Sequence, residues 1–328
     1  MANLRAGVIG IGAMGRHHAR ILRELDGVDL VAVADPGGDR FGAAPGYEIG
    51  RSVQDLIDAR LDLAVVAVPT AYHEEVALAL AEARVPTMVE KPVAASVEAA
   101  RRVQDAFEQA GVLACVGHVE RYNPAIAELR RRLQEGELGR VYQVSTSRLS
   151  AFPSRIGDVG VVKDLATHDI NTTQWLVGAE YASVAAQTAH QTGREHEDVV
   201  AITARMADGV VANHEVNWLS PMKVRLTRVI GERGAFIADT ANLSLTFWAN
   251  ASVPSEWETV QHFRGVTEGD MTRFALRTYE PLRAEDEAFR DAVLGIRDDV
   301  VSLSDGVTTL IVAEAALESS RTGTTVQL

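Results

Sequence analysis

The sequence predicts an α/β fold in two parts: an N-terminal domain on a parallel sheet, then an α+β domain with a large, mostly antiparallel, open-faced sheet. Two observations carry this prediction. In the first third of the chain, short apolar runs alternate with segments of helical periodicity. After about Val119, longer stretches alternate between apolar and polar residues. Continuous apolar runs indicate strands covered on both faces, whereas alternation indicates strands with one open face.

The N-terminal pattern, placed at residues 1–118, is one of alternating strands and helices. The predicted strands are Leu4–Gly10, Asp29–Ala34, Leu61–Val68, Val85–Val89 and Val112–Gly117. The predicted helices are Met14–Leu25, Ser52–Ala59, Tyr72–Ala83 and Ser96–Ala110. Ser52 and Ser96 stand at N-cap positions, where a hydroxyl accepts a backbone N–H. This order is typical of helices that cover both faces of a parallel sheet.

The remainder, 119–328, is predicted to bind the substrate and to mediate oligomerisation. Its predicted helices are Asn123–Gln134, Ala284–Leu294 and Ser304–Ser320. Its predicted strands are Val141–Leu149, Asp198–Met206, Val210–Val216, Val224–Ile230 and Leu243–Trp248. The open face of such a sheet needs cover, so we expect a homo-oligomer, either a homodimer or a homotetramer.

Composition excludes several classes of function. The chain has 328 residues and a formal net charge of −13, which argues against a dedicated nucleic-acid binder. We find no signal peptide and no apolar run of membrane-spanning length, and therefore expect a cytoplasmic protein without a membrane partner. The single cysteine, Cys115, excludes an intramolecular disulfide and a cysteine-cluster metal site, and its apolar neighbours predict a buried core position.

The segment Gly10-Ile11-Gly12-Ala13-Met14-Gly15 fits the dinucleotide-binding pattern G-x-G-x-x-G. It follows the first strand and opens the first helix, which favours a Rossmann cofactor site over a ligand-free glycine turn. Asp35 ends the second strand, where a carboxylate accepts hydrogen bonds from a ribose diol. This acid favours NAD because it would repel a 2′-phosphate. Arg40 can reach such a phosphate, so NADP stays open.

Two further strand ends are expected to line the cofactor crevice. Pro69 and Thr70 follow one buried strand, and Thr70 can touch the nicotinamide ribose. His73 opens the next helix and is grouped with these contacts, although a role at the helix start suits it better than catalysis. Glu90 and Lys91 follow the next buried strand, where the lysine can stabilise a developing alkoxide.

A second set of polar residues falls at helical spacing. Asp164 and His168 are four residues apart and share a helix face, and Asn171 returns to the same side. A histidine is suited to take a proton from a hydroxyl, and the aspartate can orient it or hold the substrate. On spacing alone, an ordinary surface helix explains this pair better. Two ligands do not make a metal site, so none is predicted.

Together, the glycine motif, Asp35, the triplet Glu90-Lys91-Pro92 and the Asp164/His168 pair resemble the Gfo/Idh/MocA oxidoreductase family. The resemblance covers essentially the whole chain, including the closing stretch Ser304–Gly323. In that family the corresponding lysine, aspartate and histidine form the catalytic group. The resemblance implies a Rossmann domain, a second domain with an open sheet, and oligomers packed through that sheet.

Four segments are similar to the UDP-N-acetylglucosamine 3-dehydrogenase branch of this family, whose members oxidise C3 of a nucleotide sugar with NAD. These segments are Gly117–Pro124, Phe152–Ile156, Asp158–Val161 and Asn217–Lys223. Arg121, Arg155 and Lys223 would then offset the diphosphate charge. Asn123 would bond sugar hydroxyls. Asn171 stands where the family often has aspartate, which leaves the substrate open.

Three functions follow from these residues. The first is NAD-dependent oxidation of a secondary alcohol on a nucleotide sugar, with His168 as base, Lys91 holding the oxygen and Asp164 orienting the sugar. The second uses the same chemistry on inositol or a free sugar, and needs no cations for a diphosphate. The third is a non-catalytic NAD-sensing regulator, against which the intact catalytic group argues.

Overall fold

The computed structural model describes residues 3–153, 159–251 and 268–328. Within these ranges the α-helices are α1 (Gly15–Glu24), α2 (Val53–Asp58), α3 (His73–Glu82), α4 (Val97–Ala110), α5 (Pro124–Gln134), α6 (Thr167–Val177), α7 (Pro281–Val293) and α8 (Leu303–Thr322). The strands are β1 (Leu4–Ile9), β2 (Val28–Ala34), β3 (Ile49–Gly50), β4 (Leu63–Val66), β5 (Thr87–Glu90), β6 (Ala114–Gly117), β7 (Val141–Ala151), β8 (Tyr181–Ala189), β9 (Val199–Met206), β10 (Val211–Asn217), β11 (Leu219–Gly231), β12 (Gly234–Asp239), β13 (Ser244–Asn250), β14 (Glu268–Phe274) and β15 (Val326–Gln327).

The described chain divides into two compact units. The first comprises residues up to 122 together with 279–314, and the second comprises the described residues of 123–278 together with 315–328. The linear sequence did not indicate that α7 lies with the first unit. It does so because Phe289 packs in the same buried cluster as Val8 and Met88. The functional assignment of domains 1–118 and 119–328 stays a prediction.

The first unit is built on a parallel sheet in the order β3-β2-β1-β4-β5-β6. Neighbouring residues of one strand pack into different hydrophobic clusters, one on each face of the sheet, because successive side chains point to opposite faces. Val66 and Val89 lie in a cluster with α2, α3 and α4, whereas Val65, Met88 and Cys115 lie in one with α1 and α7. The predicted doubly covered parallel sheet is confirmed, and so is the buried position of Cys115, whose thiol pKa burial raises.

The second unit carries a sheet in the order β14-β13-β12-β11-β7-β10-β9-β8-β15. Its described strands pair antiparallel except β7 and β10, which run parallel. Along β9, buried Val200, Ile202 and Ala204 alternate with exposed residues. This confirms the mostly antiparallel, open-faced sheet. No helix in the described ranges is long and apolar enough to cross a membrane.

Candidate active site

The glycine loop joins β1 to α1, and packing within the protein itself requires two of its glycines. Gly10 has φ +83°, and a Cβ there would lie 2.6 Å from the Ala67 backbone. A Cβ on Gly15 would lie 1.7 Å from the Gly10 carbonyl oxygen. Only glycine therefore allows β1 to turn into α1 at this distance from the loop after β4.

Gly12 differs from these two, because a Cβ there would meet no described residue within 4 Å. The missing side chain leaves the backbone open just before α1, where Ala13 lies in the preceding turn and Met14 is the N-cap. Unpaired N–H groups at such a helix start bind phosphate, and a glycine lets the pyrophosphate approach closely. The loop therefore fits the pyrophosphate of the expected dinucleotide cofactor, NAD.

Asp35 follows β2 and is fixed against the glycine loop. Its Oδ2 accepts the Ile11 N–H at 3.0 Å, and its Oδ1 accepts the Gly37 N–H at 2.7 Å. The carboxylate is half-buried, which leaves lone pairs for the hydroxyls of a ribose. Arg40 is exposed, and its Nε donates to the Gly37 carbonyl at 3.4 Å, so it lies beside the same turn.

The segment after β4 forms a short 3₁₀ helix, Thr70–Tyr72, with Pro69 exposed before it and Thr70 half-buried. His73 begins α3, as the sequence indicated, and is buried. Its two ring nitrogens each lie 2.8 Å from a backbone carbonyl, that of Pro92 and that of Val68. Burial lowers the pKa of His73 despite these two oxygens. The ring thus joins the end of β4 to the segment after β5, and its predicted cofactor contact stays a prediction.

Glu90 and Lys91 stand at the carboxyl end of β5. The Glu90 side chain is buried, and its Oε2 accepts the Lys91 backbone N–H at 3.1 Å. The Lys91 side chain is half-buried. In a parallel sheet the carboxyl ends of the strands share one edge with the glycine loop, which is where ligands bind.

Sequence reasoning missed a buried charged cluster behind this strand end. The His18 ring lies 2.8 Å from Asp286 Oδ1 through Nδ1 and 3.0 Å from Glu90 Oε1 through Nε2. Burial lowers the pKa of His18, but Asp286 and Glu90 outweigh it and raise this pKa well above its ordinary value. His18 is therefore an imidazolium that donates to both carboxylates. The spacing of His18 in α1 gave no signal for it, because Asp286 is 268 residues away.

Glu285 completes the cluster, and its pKa is shifted in the opposite direction to that of Glu90. It is buried, and neither of its carboxyl oxygens has a hydrogen-bond partner among the described residues. Burial, followed by the nearby Glu90 charge, raises the pKa of Glu285 well above its ordinary value. Glu285 therefore holds its proton more tightly than an ordinary glutamic acid. For Glu90, by contrast, burial raises the pKa and His18 more than reverses this effect, so that the pKa is lowered.

In the second unit, Asp164 lies on a π-helical turn, Val162–Ala166, that runs directly into α6. The Thr167 N–H donates to the Val162 carbonyl, five residues back. The expectation of one regular α-helix is therefore corrected, because a π turn holds more residues than an α turn. That Asp164 and His168 share a face stays a prediction. Asp164 is buried and His168 is half-buried. π turns of this kind are frequent at functional sites.

Two buried contacts fix this helical segment. Glu197 Oε1 accepts the Val162 N–H at 3.0 Å, which places a carboxylate at the start of the segment. A Cβ on Gly160 would lie 2.0 Å from that Oε1, so glycine is required there. Asp169, next to His168, is paired at 2.9 Å with Arg148 of β7. These contacts anchor the helix that carries the predicted base.

Two residues predicted to bind the substrate, Arg121 and Asn123, have hydrogen-bond or ion-pair partners within the protein. Arg121, in the first unit, pairs with Asp305 at 3.3 Å. Asn123 caps α5: its Oδ1 accepts the Ala125 N–H at 3.0 Å, and its Nδ2 donates to the Thr240 carbonyl at 3.4 Å. Its amide is thus occupied within the protein, and the sugar contact stays a prediction.

Three predicted substrate residues remain. Asn171 is buried in α6, and Lys223 is exposed on β11, next to an irregularity in its pairing with β7. Arg155 lies outside the described residues. Of the predicted catalytic group, Lys91 lies in the first unit, and Asp164 and His168 lie in the second.

Two further features of the described chain bear on ligand binding. No three His, Cys, Asp or Glu side chains in the described ranges are grouped so that they could hold a metal ion. A cleft of about 710 Å³ in the second unit, lined in part by Arg130, Arg140 and Asp208, contains none of the predicted site residues.

Comparison with known proteins gives matches to both halves of the chain. Residues 4–118 match a family model described as the oxidoreductase family with an NAD-binding Rossmann fold, and residues 126–237 match the GFO/IDH/MocA C-terminal domain. Inositol 2-dehydrogenase 2 of Saccharopolyspora erythraea is 30% identical over 98% of this chain and 94% of its own length.

Solved structures are similar over the whole chain. UDP-N-acetylglucosamine 3-dehydrogenase of Acidithiobacillus ferrooxidans has a TM-score of 0.83 at 26% identity, covering 98% of this chain and 99% of that one. GenD2 from gentamicin A biosynthesis was solved in complex with NAD. It has a TM-score of 0.84 at 25% identity, covering 100% of this chain and 97% of GenD2. These matches confirm the predicted fold class and NAD as the cofactor.

Proposed function

The chain belongs to the Gfo/Idh/MocA family of NAD-binding oxidoreductases, and from this premise we propose that it oxidises a secondary alcohol of a nucleotide sugar. One observation carries the proposal. Lys91 stands at the carboxyl end of β5, in the same parallel sheet whose β1 leads into the open glycine loop at Gly12. A lysine at this edge of the sheet suits a reaction in which an alcohol oxygen becomes negative.

The proposed roles follow from the chemistry of each side chain. The glycine loop and Asp35 would hold NAD, which would supply the acceptor for the hydride that leaves the carbinol carbon. His168 takes the hydroxyl proton as general base, since a histidine near neutral pH serves this role. The Lys91 ammonium holds the same oxygen and stabilises its charge. Asp164 orients the sugar and His168.

The substrate class is the finer part of the proposal. Inositol dehydrogenases and a UDP-N-acetylglucosamine 3-dehydrogenase are similar to this chain to comparable degrees. The segments that contain Arg121 and Lys223 favour the nucleotide sugar, because cations offset the two negative charges of a diphosphate. The alternative is an inositol or a free sugar, for which the exposed Lys223 would have no partner of opposite charge in the substrate.

The test incubates the purified protein with NAD and, separately, UDP-N-acetylglucosamine, other nucleotide sugars, myo-inositol and glucose. NADH absorbance and product mass are read together, because ketone formation from an alcohol can be uphill. Oxidation of the UDP-sugar alone, with inhibition by UDP, supports the proposal. Turnover of inositol or glucose instead overturns the nucleotide-sugar assignment and keeps the family chemistry.

Variants then test the assigned roles. K91A and H168A are each expected to lower kcat by roughly 10²- to 10⁴-fold, with little change in NAD affinity, because both side chains act on the alcohol. H190A is the matched control, since His190 is an exposed histidine outside the proposed site. Near-normal turnover in both K91A and H168A would show that the roles are wrong. NAD binding without turnover of any substrate would favour the sensing regulator. The predicted homo-oligomer and cytoplasmic location stay predictions.

A further inference from the structure

The buried cluster behind β5 contains ionisable groups that the proposed reaction does not use. Its members come from three separate elements: His18 from α1, Glu90 from β5, and Glu285 with Asp286 from α7. All four are buried. Burying charge is costly, and a buried pair replaced by apolar residues is often no less stable. Stability alone therefore does not explain why the cluster is ionic.

The hydrogen bonds run in one continuous line toward Lys91. Asp286 Oδ1 lies 2.8 Å from His18 Nδ1, and His18 Nε2 lies 3.0 Å from Glu90 Oε1. The other Glu90 oxygen, Oε2, accepts the Lys91 backbone N–H at 3.1 Å. Each contact restricts the next: Asp286 orients the ring, the ring fixes the carboxylate, and the carboxylate fixes the peptide that carries Lys91.

The surroundings of Glu90 leave it little freedom to take another position. A Cβ on Gly117 of β6 would lie 3.2 Å from Glu90 Oε2, so the carboxylate occupies the space that a side chain would fill. Without the His18 contact, a buried carboxylate would lose its charged partner and would have to rearrange or take up a proton. Either change would alter the acceptor presented to the Lys91 N–H.

We propose that His18 is a positioning residue for Lys91, acting through Glu90 with Asp286 as its anchor. The proposal rests on the catalytic role of Lys91 stated above. It also links two parts of the site, because His18 lies three residues after Gly15 on the helix that begins at the cofactor loop. A lysine displaced by about 1 Å from its working position is expected to cost roughly 10²-fold in turnover.

The first arm of the test measures turnover and NAD affinity in H18Q. We expect kcat to fall roughly 10- to 100-fold while KM for NAD stays within about threefold, because Lys91 is misplaced and the glycine loop is intact. H17Q is the matched control, since His17 is adjacent on α1 and partly exposed. A folded H18Q with the kcat of the parent protein overturns the proposal.

The second arm does not depend on activity, so it separates failure of this inference from failure of the proposed function. The chain has three lysines, Lys91, Lys163 and Lys223, so amine labelling read by peptide mass can follow each one. We expect H18Q to speed labelling of Lys91 by about threefold or more, with the other two unchanged. Unchanged Lys91 labelling overturns the proposal, whatever the substrate proves to be. If H18Q does not fold, D286N, which removes only the anchoring charge, is read in the same way.

Discussion

Two buried histidines, one in each unit, differ in charge at neutral pH: His18 is charged and His214 is neutral. His18 lies between two carboxylates, which raise its pKa well above the ordinary value although burial works against this. His214, on β10, lies between two hydroxyls, with Nδ1 2.8 Å from Thr146 Oγ1 and Nε2 2.9 Å from the Tyr181 hydroxyl. Burial lowers the pKa of His214 to about 4.

The difference shows that the partners, and not the depth, decide the charge of a buried histidine. Carboxylates favour the imidazolium, while hydroxyls satisfy a neutral ring that donates through one nitrogen and accepts through the other. The two units use these states differently. The charged ring stands behind Lys91, and the neutral ring, through Tyr181, is linked to the Ile170 carbonyl of α6.

The comparison is tested most severely by removing one partner from each histidine. D286A is expected to lower the free energy of unfolding by about 3–5 kcal/mol, because it leaves a buried imidazolium with one carboxylate. Y181F is the matched change beside His214 and is expected to cost about 2 kcal/mol, because it removes two neutral hydrogen bonds, to the His214 ring and to the Ile170 carbonyl. Denaturant titration at neutral pH measures both. Equal losses of unfolding free energy in D286A and Y181F would contradict the conclusion that His18 is charged and His214 is neutral.

How far the sequence predicts the molecule depends on whether the partners of a residue are near in the chain. The glycine loop, Asp35 and the strand before Lys91 were predicted because each is a local pattern of spacing and periodicity. Ser96 was likewise predicted as an N-cap, and its hydroxyl accepts the Ala99 N–H at 3.2 Å.

The parts that were missed depend on distant partners. The His18–Asp286 contact spans most of the chain, and no local pattern signals it. β8 was missed because its run of alanines and small residues does not favour strands, and pairing with β9 and a hydrogen bond from the Ala186 N–H to Ser319 Oγ supply what propensity lacks. The π turn at Asp164 has no sequence signature and was predicted as an ordinary helix.

The free energy of unfolding at acid pH tests whether His214 is neutral in the folded protein. Its pKa is about 4 in the folded protein and about 6.5 in the unfolded chain, so the unfolded chain binds the extra proton between these values. Stability from the neutral ring is therefore present above pH 6.5 and lost as pH falls toward 4, by about 3 kcal/mol. H214Q removes this titration, so its unfolding free energy should fall less over the same range. An unchanged acid limb in H214Q would show that the ring is not neutral in the fold.

Raising the pH above about 4 tests Glu285, the carboxyl group of the cluster whose pKa is raised. Because burial, followed by the Glu90 charge, raises its pKa, the folded protein keeps a proton that the unfolded chain releases above its ordinary pKa of about 4.3. The contribution of Glu285 to the free energy of unfolding should therefore fall as pH rises above about 4.3, by up to about 1.4 kcal/mol per pH unit, while His214 acts in the opposite direction. E285Q carries no such proton, so it should match wild type near pH 4 and become the more stable protein as pH rises.

A nearby glutamate separates this effect from a general change of charge on α7. Glu287 is partly exposed on the same helix and pairs with Arg283 at 3.1 Å, so E287Q should follow wild type at every pH. Charges shared by all three proteins, including His18, cancel in the comparison. If E285Q also followed wild type at every pH, Glu285 would be ionised in the fold. The cluster would then hold three carboxylate charges against one imidazolium, a balance that the buried surroundings of His18 do not support.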